Sequence, residues 1–316
     1  MVIKSQLKPQ AYRKAPLLVH LRNHWELLMF LVPALTLVIC FCYMPMVGVQ
    51  IAFRDFTAGK GMWGSKWVGL KHFEHMMNLP SLVPMIQNTL TLSVLSILLG
   101  FPMPVIFALM LNQVRNERFK RILQTITYLP HFISTVVVVG MILVFFSPRT
   151  GLYGNIARLL GNADPPHILG IAANFKWFYV LSDVWQHTGW NSIIYLAALS
   201  AIDPTLYEAA IIDGANKWQR LRHIDVPSIL PTMVILIILS SGSILNVGFE
   251  KVFLMQNGSN AGVSEVISTY VYKIGIQKSN QFSFATAIGL ANTLVNFIFL
   301  VSVNMISRRL GDVSLW

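Results

Sequence analysis

Long apolar runs alternate with shorter polar segments along this chain. Six runs are long enough to cross a bilayer as helices: 27–53, 86–111, 123–147, 177–200, 227–247 and 283–306. The pattern predicts an all-α membrane protein with six transmembrane helices. The first run follows a basic start, as in a signal peptide, but it is too long for one and has no small-residue cleavage site, so it reads as a retained helix. The boundaries that follow are an N-terminal segment 1–26, a first transmembrane helix 27–53 and an outer loop 54–85. A core domain 86–307 with five helices and a short tail 308–316 complete the chain. Prolines mark breaks or kinks, with Pro102 and Pro104 in the second run, Pro130 in the third and Pro231 in the fifth.

One polar island, Asp203 to Pro227, separates two of these runs and must lie in water. Asp203 suits an N-cap and Pro204 the first helical position, and Leu206, Ala209, Ala210 and Ile212 recur near helical spacing. Gly214 then suits a helix C-terminus, and Trp218, Leu221 and Ile224 mark a second short helical piece before Pro227. The island therefore reads as helix, glycine turn, helix.

Composition agrees with a lipid environment. Of 316 residues 54% are hydrophobic and 12% charged, about half the charged share of a soluble domain, and the mean hydropathy is +0.59. The net charge of +11 would suggest nucleic acid in a soluble protein. Here it follows from basic residues gathered in loops: Lys4, Lys8, Arg13, Lys14 and Arg22 at the start, then Arg115, Arg118, Lys120 and Arg121, then Lys217, Arg220 and Arg222, then Arg308 and Arg309. The positive-inside rule places these four segments, with both termini and the polar island, in the cytoplasm. The outer loops are then 54–85, 148–176 and 248–282, and Trp63, Trp67, Tyr153 and Tyr270 within them suit interfacial anchors.

Candidate chemistry is sparse. Cys40 and Cys42 lie in one apolar run with no further ligands nearby, and the eight histidines are scattered, so neither a metal nor a catalytic site is expected. No G-x-x-x-x-G-K-[ST] phosphate loop occurs, so ATP would have to be bound elsewhere. The polar exception is the fourth run, where Asp183, His187 and Asn191 recur every four residues with Trp190 on the same face. A carboxylate facing lipid costs about 2.5 to 3.5 kcal/mol on insertion scales, so the stripe should face protein or water. It is either an interhelical hydrogen-bond network or the lining of a path, in which polar groups would serve hydroxyls and the indole would stack on a sugar ring. In the last run Ala285, Gly289, Asn292 and Asn296 share a face suited to close packing.

Glu208-Ala209-Ala210, Gly214 and Ile224-Asp225-Val226-Pro227 resemble the EAA loop of bacterial ABC importer permeases, with Val226 in place of the usual leucine. Further stretches carry the likeness to the carbohydrate-uptake branch and its LplB-like group of polysaccharide and oligosaccharide permeases. They are YMPMVGVQIAFRDF at 43–56, WVGLKHF at 67–73, Asn88-Thr89, FPMPVIFALMLNQV at 101–114, QTITYLPHFIST at 124–135 and the C-terminal half through Trp316. The resemblance implies a type I importer permease fold in the bacterial cytoplasmic membrane. It further implies a second homologous permease, two ABC ATPase subunits that bind ATP and Mg, and an extracytoplasmic solute-binding protein. The ATPase-coupling residues it points to are Leu206, Glu208, Ala209, Ala210, Gly214, Ile224 and Pro227. Neutral and uronic saccharides both remain open as substrates. Two other readings stand beside this one: an ion-coupled secondary carrier, which should show inverted repeats and paired intramembrane acids, and a membrane receptor or scaffold without transport.

Overall fold

The computed structural model describes residues 25–277 and 281–311. Residues 1–24, with the basic cluster from Lys4 to Arg22, lie outside the described residues, as does the tail from 312 to Trp316. The chain divides into two compact units, Met1–Ile51 and Ala52–Trp316.

In the first unit, α1 (Trp25–Val38) runs on through a wider helical turn, Ile39–Tyr43, into a tighter stretch that begins at Met44. Most of its side chains are exposed, Phe30 at 84% and Phe41 at 74%, as suits a lipid-facing helix. Cys40 and Cys42 are free and exposed.

The second unit opens with a two-stranded antiparallel hairpin, β1 (Arg54–Asp55) and β2 (Lys66–Trp67), followed by α2 (Lys71–Met77). The expected outer loop 54–85 is thus an ordered cap. Lys71 pairs with Asp55 at 2.8 Å and holds its carboxyl below the usual carboxylate range, and Phe56 N–H donates to Ser283 Oγ at 2.8 Å. The second expected span is α3 (Leu82–Gly100) joined to α4 (Pro102–Asn112), and together they pass as one apolar helix of 31 residues. Pro102 begins α4, and because it has no N–H the Leu98 carbonyl gets no bond from it at the junction of the two helices.

The third expected span is two helices, α5 (Glu117–Tyr128) and α6 (Thr135–Phe145), bent by 99°. Pro130 ends the first, Ile133 and Ser134 are extended, and the Ser134 hydroxyl caps the second by accepting from Val137 N–H. Next come α7 (Leu152–Leu159) and the long helix α8 (Phe175–Ser200). The polar island holds α9 (Pro204–Ile212) and α10 (Lys217–Arg220), and α11 (Val226–Ser241) follows with Pro231 inside it and no break. The expected outer loop 248–282 carries α12 (Phe249–Met255) and α13 (Ile267–Tyr272), and α14 (Phe282–Gly311) closes the chain. Among the described residues four helices are long and apolar enough to cross a membrane, five if the bent α5–α6 pair is one span. At about 1.5 Å per residue α8 is also long enough, but its polar residues keep it out of that set.

α8 is the centre of the unit and packs on α3, α4, α5 and α11. Gly189 lets α5 come close: a Cβ there would lie 2.1 Å from the Thr127 carbonyl oxygen. Leu92, Val139, Tyr179, Val180, Val252 and Val266 form one buried cluster around α8, and Val105, Ala108, Tyr195, Leu199 and Ile229 form another toward its C-terminus. Asn88 and Thr89 tie α3 to the turn before α13. The Asn88 amide donates to the carbonyls of Gly262 and Glu265, and Ile267 N–H donates to Thr89 Oγ1.

Candidate functional site

The polar island folds by local rules. The Asp203 carboxylate accepts from Thr205 N–H at 2.9 Å, and that bond holds the carboxyl below its ordinary range. At the other end of α9, Ala215 N–H donates to Ala210 C=O at 2.8 Å and Gly214 N–H to Ile211 C=O at 3.1 Å, with Gly214 at φ +77°. This pair of bonds around a left-handed residue is a Schellman motif. Asn216 then caps α10 reciprocally: Gln219 N–H donates to its Oδ1 at 2.9 Å and its own N–H donates to Gln219 Oε1 at 2.8 Å. The chain leaves through one wide turn, Leu221–Asp225, and Pro227 sits in the first turn of α11.

Leu206, Glu208 and Ala209 point to solvent and Ala210 is half-buried. Ile212, at 85% exposure, Ile211 and Trp218 add apolar surface on α9 and α10 that the family motif does not mark. Such a patch on a polar loop suits a protein partner. Beneath it Asp225 is fully buried. Tyr207 Oη donates to one of its oxygens, and Gln113 Nε2 donates to the other at 3.1 Å. Burial, reinforced by that carboxylate, pushes the Tyr207 phenol up to about 12, so it stays a donor at any physiological pH. The family motif marks Ile224 and Pro227 but neither Asp225 nor Tyr207, so nothing in the sequence pairs the two.

The second feature is an open cavity of about 820 Å³ between α3, α4, α8, α11 and the segment 243–248. Asp183, Trp190 and Asn191 line it, together with Tyr179, Tyr195 and the hydroxyls of Ser93, Ser96, Ser240 and Ser243. His187 does not. Its Nδ1 lies 3.0 Å from the Asp183 carbonyl oxygen and 3.5 Å from Asp183 Oδ1, and its ring stands 5.4 Å from His131. His131, at the α5–α6 bend, stacks on Trp190 at 4.5 Å and 2°, so one indole face is already covered. Histidines far apart in sequence thus share one aromatic cluster.

Asp183 has a partner that span counting hides. Lys251 Nζ lies 3.2 Å from its Oδ1 and 5.0 Å from the Tyr179 ring centre, and Gly248 N–H donates to Tyr179 Oη at 3.1 Å. Lys251 is only 4% exposed because α12, placed in an outer loop by hydropathy, packs against α6 and α8. Phe249, Val252 and Phe253 at helical spacing were the available signal, as was a single intramembrane acid with no cation in its own run. On the last helix, Asn292 and Asn296 donate to Asn246 Oδ1 at 3.0 and 3.2 Å, and Asn296 Oδ1 accepts from Leu245 N–H. The small-residue face of α14 therefore fixes one wall of the cavity.

Comparison with known proteins adds three findings. Residues 100–312 match the family described as binding-protein-dependent transport system inner membrane component. Two relatives from Bacillus subtilis align over nearly the whole chain. Protein LplB is 40% identical over 93% of this chain and 92% of its own, and the polygalacturonan/rhamnogalacturonan transport system permease protein YteP is 38% identical over 96% and 94%. A chain of the bacterial alginate ABC transporter, solved in complex with an alginate pentasaccharide-bound periplasmic protein, superposes with a TM-score of 0.86. It has 37% identity over 95% of this chain and all of that one.

Proposed function

This chain belongs to the family of binding-protein-dependent transport system inner membrane components, and from that membership we propose that it is the permease subunit of an ATP-driven oligosaccharide importer in a bacterial cytoplasmic membrane. Ion-coupled carriage and a scaffold without transport both give way to that membership. The observation that carries the substrate class is the 820 Å³ cavity, whose wall of hydroxyls, amides and aromatic rings suits a saccharide. Its size falls in the range of small-molecule sites, and a second permease supplies the facing wall. The names of YteP and the alginate transporter favour a uronate-containing substrate. The Asp183–Lys251 pair supports this, since the wall then presents no unbalanced carboxylate to repel one.

The loop 203–227 docks the ATPase, with Leu206, Ala209 and Ala210 entering its cleft, Glu208 facing a charged partner, and Ile224 and Pro227 anchoring the loop to α11. ATP and Mg are bound by two ATPase subunits and none by this chain, and a solute-binding protein delivers the saccharide from outside. Six spans with both termini inside complete the topology, α8 and the bent α5–α6 pair serving as the fourth and third. A single cysteine introduced at Asn216 should therefore stay unlabelled by an impermeant reagent in intact cells, and labelling from outside would invert the assignment.

Uptake tests the path. Trp190→Ala and Asn191→Ala should each lower uptake of an oligogalacturonate by about three- to tenfold, the loss of one stacking or hydrogen-bonding contact, while the ATPase still co-purifies. Loss of assembly instead would mark the stripe as a helix-packing network, and normal uptake in both would remove these residues from the path.

A further inference from the structure

α9 is attached to the bundle by very little. Among the described residues it buries no side chain and packs extensively on no other element. Between its two chain ends it meets the bundle through the half-buried Ala210 and through the Tyr207 hydroxyl, which donates to Asp225 and also meets the Asn112 side chain at the end of α4. Asp225 stands at the end of the wide turn that leads into α11, and its second oxygen accepts from Gln113, the residue that follows the last turn of α4. Three elements thus meet at one carboxylate that is 0% exposed.

A carboxylate in that position is costly. Its two hydrogen-bond partners are neutral, and among the described residues no cation stands within ion-pair distance of it. An apolar side chain would hold the turn more cheaply, because burying a charge without a counter-charge is repaid only by strong hydrogen bonds. What the carboxylate offers instead is two acceptor oxygens pointing to different helices, which an apolar residue cannot supply.

We propose that Asp225 is a positioning residue that joins α9 to the ends of α4 and α11, so that displacement of α9 by the ATPase is passed to both membrane helices at once. This deepens the coupling reading of the loop and rests on it. A thinly packed helix transmits force only through its chain ends and such a joint. Both chain ends are turns, the one after α9 bending at Gly214, so the joint is the stiff connection.

The test uses the assembled importer with its solute-binding protein loaded with an oligogalacturonate, and reads the stimulation of ATP hydrolysis together with ATPase co-purification. Tyr207→Phe and Asp225→Ala should lower stimulation about tenfold, within the usual range of coupling between sites, while the ATPase still co-purifies. Asp225→Asn should keep it within about twofold, because its carbonyl still accepts from Tyr207 and the Gln113 amide can turn to accept from the new NH₂. Gly214→Val, which disturbs the loop without touching the joint, is the reference. Full stimulation in Tyr207→Phe alongside lost stimulation in Gly214→Val overturns the joint and leaves loop coupling standing. Full stimulation in both overturns loop coupling itself. Should Asp225→Ala fail to assemble, Tyr207→Phe decides alone, since it removes one hydroxyl from a half-buried ring. A lowered thermal midpoint with unchanged stimulation per complex would make the contact structural only and also overturns the proposal.

Discussion

Gly214→Val is expected to abolish the stimulation of ATP hydrolysis by loaded solute-binding protein, with membrane insertion unchanged. Gly214 sits at φ +77°, and a Cβ there would meet no atom within 4 Å. The penalty is therefore purely backbone: about 1–2 kcal/mol for an ordinary L residue in the left-handed region, and more for a β-branched one. The chain escapes that strain by giving up the two bonds that close α9, from Gly214 to Ile211 and from Ala215 to Ala210, and α10 with Trp218 is then aimed elsewhere. Because the strain is conformational, the series should be graded. Asn, which tolerates the left-handed region, should retain most stimulation, Ala less and Val least. Glu208→Lys should act differently, reversing a charge on an exposed position of α9 with the turn intact, and should release the ATPase during purification. Full co-purification and full stimulation in both variants would remove the loop from coupling.

The second large effect is expected at the Asp183–Lys251 pair, and it is asymmetric. Asp183→Leu leaves the Lys251 ammonium almost fully buried beside the Tyr179 ring, whereas Lys251→Met leaves a carboxylate that still reaches the water of the cavity. Removing one member of a buried pair costs about 3–5 kcal/mol when the other has no access to solvent, so Asp183→Leu should lower the thermal midpoint of the detergent-purified importer by on the order of 10 °C. Lys251→Met should lower it by a few degrees at most. The double variant should recover most of the loss, because an apolar pair of similar volume carries no stranded charge. If Lys251→Met proved the more damaging, Asp183 would depend on the lysine more than on cavity water.

The parts of this structure that were legible beforehand are those governed by neighbours in the chain. α9, its proline start, its glycine stop and the second short helix follow from Asp203, Pro204 and Gly214, and each of the bonds that close them spans five residues or fewer. The stripe of Asp183, Trp190 and Asn191 follows from helical periodicity in the same way. The third span shows where such reading fails. Pro130 and Pro231 look alike in apolar runs, yet the first breaks its helix and the second does not. Proline frees a carbonyl, but a sharp bend also needs a new start, and Ser134 provides one four residues after Pro130.

Hydropathy and short-range hydrogen bonding act within a turn or two of the residues concerned, and they suffice for the long apolar runs, the polar loop with its caps and the face of α8 that could not meet lipid. Packing between distant segments is what lets Lys251 neutralise Asp183 across 68 positions, His131 cover Trp190, and Gln113 and Tyr207 share Asp225. Those contacts depend on which helices lie side by side, and that is set by close approaches such as Gly189 against Thr127 and by α12 folding back into the bundle. Burial is what makes them consequential, since a charge or donor withdrawn from water must be met by whichever group the packing brings to it.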